Sequence, residues 1–414
     1  MILPAHPVRG ELFVLGGDHV LQQTLTAKIL ICPDEQYHQR LLDPMKTYAD
    51  ACSYAAERIV SEKIPVNQYL IHKAFYYDMR SRFGLPSQMT QSVIRTVNGA
   101  FLAIRTSQKE HPEKFRKKGK KGEEEKVIIP QFRVPQLSLV WNRDYSIVWN
   151  KGKTERLFSI NTLKGRIKVR FTAKAMEWAF TEGARFGTAK LVYQHGKFFL
   201  HIPVTVEVPD PVPLSDDTAV VGVDRGIRFL TVSYDGKKTS FVSGSEVKKK
   251  RAHYKQLRQE LQKRKTRSAR RRIKTIGQRE NRWMNDVDHC LTKALVCSYP
   301  EGTLFVLEDL SGIRSATERV RVRDRYVSVS WSFYDLEQKL MYKAQKYGST
   351  VIKVDPAYTS QRCPVCGHTE RSNRDKKNHV FVCKGCGYTS NDDRTAAMNL
   401  HVMGKEYLME NKVS

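Results

Sequence analysis

The chain has 414 residues, which is enough for about two to four domains. Its 71 lysines and arginines outnumber its 43 acidic residues, and the formal net charge of +28 predicts a polyanionic partner. No apolar run approaches the ~18 residues of a membrane span, and we find neither a lipidation signal nor a secretory leader. We therefore expect a cytoplasmic protein that binds nucleic acid and has no membrane partner.

The eight cysteines form two groups of four. One group is paired by spacing, and the other is scattered over Cys32, Cys52, Cys290 and Cys297. This usage predicts a reducing compartment and a metal site, and it does not suggest a disulfide framework.

The first predicted elements are one short strand and three helices. The segment LTAKILICP predicts the strand, after residues 1–22, to which the sequence assigns no role. The second helix runs from Asn67, a favourable N-cap, to Gly84, and the third begins at Ser87. Residues 35–105 thus form a helical lobe. In the first helix, apolar residues recur every three or four positions at Tyr37, Leu41, Met45, Tyr48, Cys52, Ala55 and Ile59.

A connector and a group of strands follow the helical lobe. Residues 109–126 are charged and poor in apolar side chains, which suits a mobile connector, with a phosphate-binding loop as the alternative. Residues 127–208 contain short strand patterns, interrupted by one helix near residues 173–186, and His195 and Gly196 suit a hairpin turn. These strands predict a small β-barrel that forms one split domain with the first strand. The proline-rich segment VPDPVPLSD ends this domain.

Two apolar segments end in carboxylates. In TAVVGVDRGI the residues before Asp224 are typical of a buried strand, where a carboxylate without a partner is costly. Asp224 is therefore either a ligand of a cation or a cap of the turn that follows. The segment GTLFVLEDLSG repeats the pattern and ends in Glu308 and Asp309. A helix at residues 333–347 and a strand at STVIKVDP follow, and this alternation predicts a mixed or parallel sheet.

The segment from Lys248 to Arg282 is the most basic part of the chain, with sixteen Lys or Arg and two Glu. A solvated helix face normally interleaves opposite charges, because like charges four residues apart repel each other. We therefore predict a helical arm at residues 245–300 that lies against nucleic-acid phosphates and binds in a salt-dependent manner. A solvated helix face is the alternative.

The motifs CPVC and CKGC form the pattern C-x2-C-x16-C-x2-C with Cys363, Cys366, Cys383 and Cys386. Two such knuckles place four thiolates around a structural Zn²⁺ and leave no position for a catalytic water. A redox role is the alternative. The small zinc-bound segment that these knuckles would form, a zinc ribbon, would either contact nucleic acid or serve as a scaffold. Its expected exposed basic residues are Arg362, Arg371, Arg374, Lys376 and Lys377.

The segment NDDRTAAMNLHVMG predicts a helix with Asp392 and Asp393 in its first turn. Acids in the first turn often only interact favourably with the helix dipole and bind no ligand. The two alanines that follow let the helix pack closely on a sheet, which would carry Asp393 toward Asp224 and Glu308. Three carboxylates at one sheet edge of a basic protein predict a Mg²⁺ or Mn²⁺ site, where two ions ~4 Å apart promote phosphodiester hydrolysis.

Five motifs together resemble those of TnpB, a family of transposon-encoded RNA-guided DNA endonucleases that is closely related to compact type V CRISPR effectors. Their order and spacing resemble the family's RuvC-type motifs and inserted zinc ribbon over residues 218–403. The segment YYDMRSRFGLPSQMTQSVIRTV is also similar to the family's N-terminal half. The motifs are GVDRGI at 222–227, VLEDLSGIR at 306–314, DPAYTSQRCPVCG at 355–367, CKGCGY at 383–388 and DDRTAAMNL at 392–400.

The resemblance implies catalytic roles for Asp224, Glu308 and Asp393, which would also bind Mg²⁺ or Mn²⁺. The neighbouring acid Asp392 leaves open which of the two aspartates is the ligand. Arg225 stands where the family often has an apolar residue.

The resemblance also implies a multidomain fold of the α/β and α+β classes. Residues 215–355 and 391–414 would form an RNase H-like (RuvC-type) nuclease core, with its acids on the first strand, the fourth strand and the final helix. Residues 356–390 would be the inserted zinc ribbon. A wedge β-barrel would comprise residues 1–34 and 109–214, with a helical recognition lobe, residues 35–108, inserted in it.

The implied partners are a guide RNA and double-stranded target DNA. The guide pairs with one strand, the lobe and wedge read a short flanking motif, and one site cuts both strands. A prokaryotic, nucleoid-associated location and a monomer bound to its RNA are expected. For the lobe residues, an ordinary polar helix surface is the alternative. The nucleic-acid contacts would be Lys249, Arg251, Lys255, Arg258, Arg264, Arg267, Arg271, Arg272, Tyr76, Tyr77, Arg80, Gln91, Gln361 and Arg362.

Three other functions remain open from the sequence. A guided repressor would bind DNA without cutting it, but it would normally lack at least one acid. A non-catalytic zinc-ribbon protein that binds RNA would explain the charge and the cysteines, and it would leave the three acids without a role. A direct transposase would transfer strands without RNA. Transposon-encoded and CRISPR-associated proteins use the same residues, so the sequence does not separate them.

Overall fold

The structure is a computed structural model that describes residues 21–112, 115–119, 122–125, 128–132, 136–310 and 333–411. The chain divides into two compact units, one of Gln22–Glu207 and one of Met1–Leu21 with Val208–Ser414. Most of the predicted leader and the end of the motif at 306–314 lie outside the described residues. Within the described ranges, no helix has both the length and the apolar character needed to cross a membrane.

The helical lobe contains the three predicted helices. These are α1 (Glu35–Ser61), α2 (Gln68–Phe83) and α3 (Ser87–Glu110). The predicted caps of α2 are confirmed, because the Asn67 side chain accepts hydrogen bonds from the first-turn amides and Gly84 takes the left-handed conformation with φ +62°.

The same unit contains one large antiparallel sheet and a separate hairpin. The strand order of the sheet is β4-β9-β10-β1-β7-β6-β5, with β8 paired to β10, while β2 pairs with β3. The strands are β1 (Gln22–Cys32), β2 (Arg116–Gly119), β3 (Gly122–Glu125), β4 (Gln136–Leu139), β5 (Tyr145–Trp149), β6 (Arg156–Thr162), β7 (Gly165–Thr172), β8 (Arg185–Phe186), β9 (Ala189–Gln194) and β10 (Lys197–Glu207).

The turn between β9 and β10 is confirmed, because His195 and Gly196 both have positive φ, +52° and +75°. Three other expectations for this unit differ from the structure. Strand β1 is long, with 11 residues, because it pairs with β10 along most of its length. The predicted helix near 173–186 is only a 3-10 helix at Lys174–Phe180, followed by β8. Residues 128–130 are not in a strand.

The charged connector also differs from its prediction. Two of its described segments pair as the hairpin of β2 and β3. The register places residues 116–118, which are basic, opposite residues 123–125, which are acidic. Cross-strand pairs of opposite charge favour such a hairpin, which an apolar pattern could not predict.

The second unit is built on a mixed five-stranded sheet, which is one of the two predicted alternatives, a mixed or a parallel sheet. Its strand order is β13-β12-β11-β14-β15, in which β11, β14 and β15 are parallel and β12 and β13 are antiparallel. The strands are β11 (Val220–Asp224), β12 (Phe229–Tyr234), β13 (Thr239–Ser243), β14 (Leu304–Glu308) and β15 (Thr350–Val354).

Helices cover both faces of this sheet. Alternate residues of β11 and β14 point to opposite faces, as the two-residue period of a strand requires. On one face Val221, Val223, Phe305 and Leu307 pack on α5 (Arg267–Cys297) and α6 (Phe333–Lys346). On the other face Val220, Leu304 and Val306 pack on α7 (Asp392–Glu410). Strands β11 and β14 are thus buried from both sides, which explains why their residues before the final acid are small or apolar.

The predicted basic arm is a pair of helices. Helix α4 (Ser245–Arg264) ends at Lys265, which has φ +53°, and α5 starts after Thr266, whose hydroxyl accepts a hydrogen bond from the amide of Ala269. The two helices pack against each other. We call residues 245–297 the basic helical hairpin.

The four-cysteine segment forms a small antiparallel sheet of β16 (Arg374–Asp375), β17 (Val380–Val382) and β18 (Thr389–Asn391), preceded by a 3-10 helix at Arg371–Asn373. Its core contains Cys363, Cys383 and Phe381. We call residues 356–391 the ribbon.

Candidate functional site

Two of the predicted acids end neighbouring strands. Asp224 is the last residue of β11, and Glu308 is the last residue of β14. The parallel register pairs Val223 with Leu307, so the two acids lie side by side at the carboxyl edge of the sheet. Neighbouring strands are about 4.8 Å apart, and this spacing sets the separation of the two backbones.

The third acid comes from the opposite end of the chain. Asp393 lies in the first turn of α7, where Asn391 caps the helix by accepting hydrogen bonds from the amides of Asp393 and Arg394. Helix α7 approaches β11 closely because Gly222 has no side chain. A Cβ atom on Gly222 would lie 2.1 Å from the carbonyl oxygen of Ala397.

The structure brings Asp224, Glu308 and Asp393 into electrostatic contact. Burial raises the pKa of Asp224 well above its usual range, and the charges of Glu308 and Asp393 raise it further. Burial likewise raises the pKa of Glu308, while burial and then the charge of Asp392 raise the pKa of Asp393. Ionising all three acids is therefore unfavourable without a cation, which fits a divalent metal site.

The two adjacent aspartates have different surroundings. Asp392 is fully buried, and its carboxylate accepts a hydrogen bond from Nε of Arg374 at 2.9 Å and lies 3.5 Å from Nδ1 of His379. Asp393 is partly exposed, lies 3.9 Å from the Arg374 guanidinium and interacts with Asp224. Asp392 therefore has a structural ion pair, while Asp393 is the more accessible of the two and stays the predicted ligand. Arg374, expected on the exposed ribbon surface, instead faces these acids.

The candidate metal ligands differ in how closely their ligand atoms are spaced. Among the described residues, two clusters have all their ligand atoms within 4.8 Å of one another: the four cysteines, and His379 with Asp392 and Asp393. Asp224, Glu308 and Asp393 are not such a cluster. Ligands of a single Mg²⁺ lie at most about 4 Å apart, because each Mg–O distance is about 2 Å. A wider spacing of the three carboxylates suits two cations that lie ~4 Å apart.

Two residues to which the sequence analysis assigned no role hold Glu308. The hydroxyl of Thr359 donates a hydrogen bond to Oε1 of Glu308. The guanidinium of Arg225 donates to the Glu308 carbonyl oxygen at 2.6 Å and forms a buried ion pair with Glu337 at 3.0 Å. Thr359 lies within the motif DPAYTSQRCPVCG, and that position is the only sequence signal for its role.

The four cysteines can hold a zinc ion. Their Sγ atoms all lie within 4.8 Å of one another, with Cys363 and Cys386 3.7 Å apart and Cys366 and Cys383 3.5 Å apart. The amides of Gly385 and Cys386 point at Sγ of Cys383, at 3.3 and 3.4 Å. Burial opposes ionisation, but these amide donors prevail and lower the pKa of the Cys383 thiol to about 6. A set of four sulfur ligands with a stabilised thiolate suits Zn²⁺.

The predicted contacts on the basic helical hairpin have two different environments. Arg251 is buried, and Arg258 forms an ion pair with the buried Glu280 in α5. These two side chains therefore join the helices to each other. The hairpin also encloses a cavity of about 330 Å³ that Arg264 and Arg272 help to line. Lys255 is half-buried, and the exposed predicted contacts are Lys249, Arg264, Arg267, Arg271 and Arg272.

The remaining predicted contacts lie on other surfaces. On α2, Tyr77 is 80% exposed, while Tyr76 is half-buried, stacks on His72 and has Arg80 over its ring. Gln91 on α3 is half-buried. In the ribbon, Gln361 is half-buried and Arg362 is exposed, 3.8 Å from Glu406.

The described residues thus form a multidomain α/β protein with carboxylates at the edge of a mixed sheet. Two family descriptions match this chain, from the end of β10 through most of the second unit. Residues 201–311 match OrfB_IS605, "Probable transposase", and residues 333–400 match "Cas12f1-like, TNB domain". Several curated relatives are described as TnpB-like proteins. The predicted relationship to TnpB and to compact type V effectors is therefore confirmed.

Two relatives and one solved structure illustrate the match. The chain is 43% identical over 96 residues to "CRISPR-associated endodeoxyribonuclease Cas12f1" of Sulfoacidibacillus thermotolerans, covering 23% of this chain and 21% of that protein. It is 30% identical over 233 residues to "Putative RNA-guided DNA endonuclease InsQ" of Escherichia coli K12, covering 51% and 55%. The chain thus matches about half or less of each relative's length.

The solved structure is the cryo-EM structure of a Cas12f1-sgRNA-target DNA complex. Its protein chain aligns with a TM-score of 0.64 at 13% identity, covering 89% of this chain and 83% of the other. This likeness shows that the multidomain α/β fold is shared.

Proposed function

We propose that this protein is an RNA-guided DNA endonuclease that hydrolyses phosphodiester bonds of both target strands at one site. The observation that carries the proposal is the gathering of Asp224, Glu308 and Asp393 at one sheet edge, where burial and mutual repulsion call for a cation. The relatives described as DNA endonucleases support the same activity. The protein would act with a transposon or as a compact type V CRISPR effector.

The finer architecture belongs to this proposal. The five-stranded sheet with α5, α6 and α7 would be the RNase H-like core, because its acids lie on the first strand, the fourth strand and the final helix. The ribbon would be a zinc-binding insert. The large antiparallel sheet would be the wedge barrel, and the helical lobe would be inserted in its sequence. The domain boundaries predicted from the sequence are part of this proposal.

In this proposal the three carboxylates hold divalent cations at the sheet edge. Mg²⁺ or Mn²⁺ would supply an activated water and would stabilise the leaving oxygen. The chain's own residues set the geometry: β11 and β14 fix two carboxylates by their register, and the cap at Asn391 fixes the third. Arg374 balances part of the negative charge by pairing with Asp392, which leaves Asp393 available as a ligand.

The basic helical hairpin would bind the guide RNA. Lys249 pairs with Glu246, but lysines and arginines outnumber glutamates by sixteen to two between Lys248 and Arg282. The exposed excess of positive charge can contact phosphates and release counterions. The exposed aromatic and basic residues of α2 would contact the duplex that flanks the target, as the sequence analysis proposed. The protein would act as a monomer bound to its RNA, in a prokaryotic cell and close to the nucleoid.

The test is a cleavage assay with the RNA that co-purifies with the protein. Sequencing this RNA identifies the guide, and a matching plasmid library then reports the flanking motif and the cut positions. We expect Asp224→Ala to abolish Mg²⁺-dependent cleavage while RNA and DNA binding remain. Absence of any specific RNA, or cleavage by the variant, would overturn the proposal. Target binding without cleavage by the unmodified protein would favour a guided repressor.

A further inference from the structure

Thr359 lies between the ribbon and the carboxylate site. It is 4% exposed, precedes the first zinc-type knuckle by four residues, and donates its hydroxyl hydrogen bond to Oε1 of Glu308. The same hydroxyl lies 3.1 Å from the carbonyl oxygen of Pro356. A hydroxyl has one proton, and a Glu308 carboxylate that is ionised as a cation ligand is the stronger acceptor, so Glu308 receives it.

The loop that carries Thr359 is fixed from the final helix. Asn399 on α7 is 3% exposed, and its Nδ2 donates to the carbonyl oxygens of Thr359, at 2.6 Å, and of Arg362, at 2.8 Å. Asn399 lies on the same helix as Asp393. Both ends of residues 359–362 are therefore tied to the element that supplies the third acid.

The same loop is fixed from the ribbon. Asn373 is 1% exposed, and its Nδ2 donates to the carbonyl oxygen of Gln361 at 3.0 Å and to that of His368 at 3.3 Å. Its Oδ1 accepts from the amide of Lys384 at 2.9 Å. Since Lys384 lies within the second knuckle, one buried amide joins both knuckles to the loop. Hydrogen bonds and short stretches of backbone thus connect the cysteine knuckles to Glu308.

We propose that Thr359 is a positioning residue that couples the metal-bound ribbon to the orientation of the Glu308 carboxylate. With the cysteines closed on their metal, the loop holds the Thr359 hydroxyl in place, and this hydroxyl selects the rotamer in which Glu308 can bind a divalent cation. The ribbon then acts on the carboxylate site in addition to any contact with nucleic acid. The inference rests on the proposed function only for the view that Glu308 is a cation ligand.

Three variants test the hydroxyl itself. Thr359→Val removes it at nearly the same volume, and Thr359→Ser keeps it. Thr369→Val is the matched control, because the Thr369 hydroxyl is exposed and donates to the nearby Gly367 carbonyl oxygen. Two quantities are measured. Mn²⁺ is titrated into the full-length protein bound to its RNA, and the EPR signal of the unbound Mn²⁺ gives the affinity. The cleavage rate is measured at saturating Mg²⁺.

We expect Thr359→Val to weaken Mn²⁺ binding about 10- to 100-fold, the range for residues that orient a metal ligand, and to slow cleavage. Thr359→Ser should restore both within a few-fold, and Thr369→Val should match the unmodified protein. Unchanged Mn²⁺ affinity in Thr359→Val, or equal losses in Thr359→Val and Thr359→Ser, would overturn the inference. If the unmodified protein does not cut DNA but Thr359→Val still loses Mn²⁺ affinity, the nuclease proposal fails and the positioning role stands.

A double-mutant cycle tests the coupling to the ribbon. Cys366→Ser is combined with Thr359→Val, and zinc content is measured for each protein by atomic emission. If the ribbon acts through Thr359, the loss of Mn²⁺ affinity in the double variant equals that of the more damaging single variant. Additive losses would show that the ribbon and the hydroxyl act separately, which would refute the coupling.

Discussion

The packing of α7 on β11 gives a sharp prediction for Gly222→Ala. The new Cβ would lie 2.1 Å from the Ala397 carbonyl oxygen and 2.4 Å from the His401 amide nitrogen, where ordinary contact begins at 3.4 Å. Both neighbours are backbone atoms, so the helix as a whole must move by about 1 Å, and Asp393, one turn earlier, moves with it. Overpacking of this kind costs about 1–3 kcal/mol of folding stability.

Because misplacing a reacting group by about 1 Å can cost about 100-fold in rate, we expect Gly222→Ala to lower the cleavage rate by about that factor. We also expect Tm to fall by about 2–10 °C for a unit of this size. The measurements are single-turnover cleavage at saturating Mg²⁺ and calorimetry. Gly99→Ala in α3 is the control, since its Cβ would meet no atom within 4 Å and should leave cleavage unchanged. Cleavage by Gly222→Ala within three-fold of the unmodified protein would refute the reasoning about helix placement.

Three further predictions concern the acids, the cysteines and the basic helical hairpin. Asp393→Asn should abolish Mg²⁺-dependent cleavage with little change in Tm, whereas Asp392→Asn removes the buried partner of Arg374, which keeps only the more distant Asp393, and should cost about 3 kcal/mol in a denaturant titration; the reverse pattern would exchange their roles. Removing the ribbon metal, by chelation or by Cys383→Ser, should lower Tm in calorimetry because metal binding contributes to folding; an unchanged Tm in the zinc-free protein would contradict a structural zinc site. Arg271→Gln should reduce the salt slope of RNA binding by about one unit in filter binding, while Arg258→Gln, which removes an ion pair with the buried Glu280, should lower stability instead; equal slopes for both variants would exclude this division.

Local patterns predicted much of this fold. The limits of α2 follow from Asn67 and Gly84, whose effects depend on neighbouring residues only. The strands that end in Asp224 and Glu308 were recognisable because burial on both faces requires an unbroken apolar run. The break between α4 and α5 was not predicted, because Lys265 adopts a positive φ without any glycine or proline to indicate it.

The contacts within the site were less predictable than its acids. The contrast between Asp392 and Asp393 depends on Arg374, which is 18 residues distant from Asp392 and was expected at the ribbon surface. The contact of Thr359 with Glu308 joins residues 51 positions apart. Such pairs are set by how the ribbon and the sheet meet, and neither composition nor periodicity carries that information.

The close packing of α7 on β11 also has a consequence for biosynthesis. The Nδ1 atom of His401 lies 3.0 Å from the carbonyl oxygen of Val220, across 181 residues of chain. Contacts between such distant segments form late, because the entropy of closing the loop must be overcome first. On the ribosome, the basic helical hairpin emerges well before α7. We therefore expect the basic helical hairpin of a nascent chain to be exposed before Asp393 has been synthesised. RNA can then bind before the carboxylate site forms.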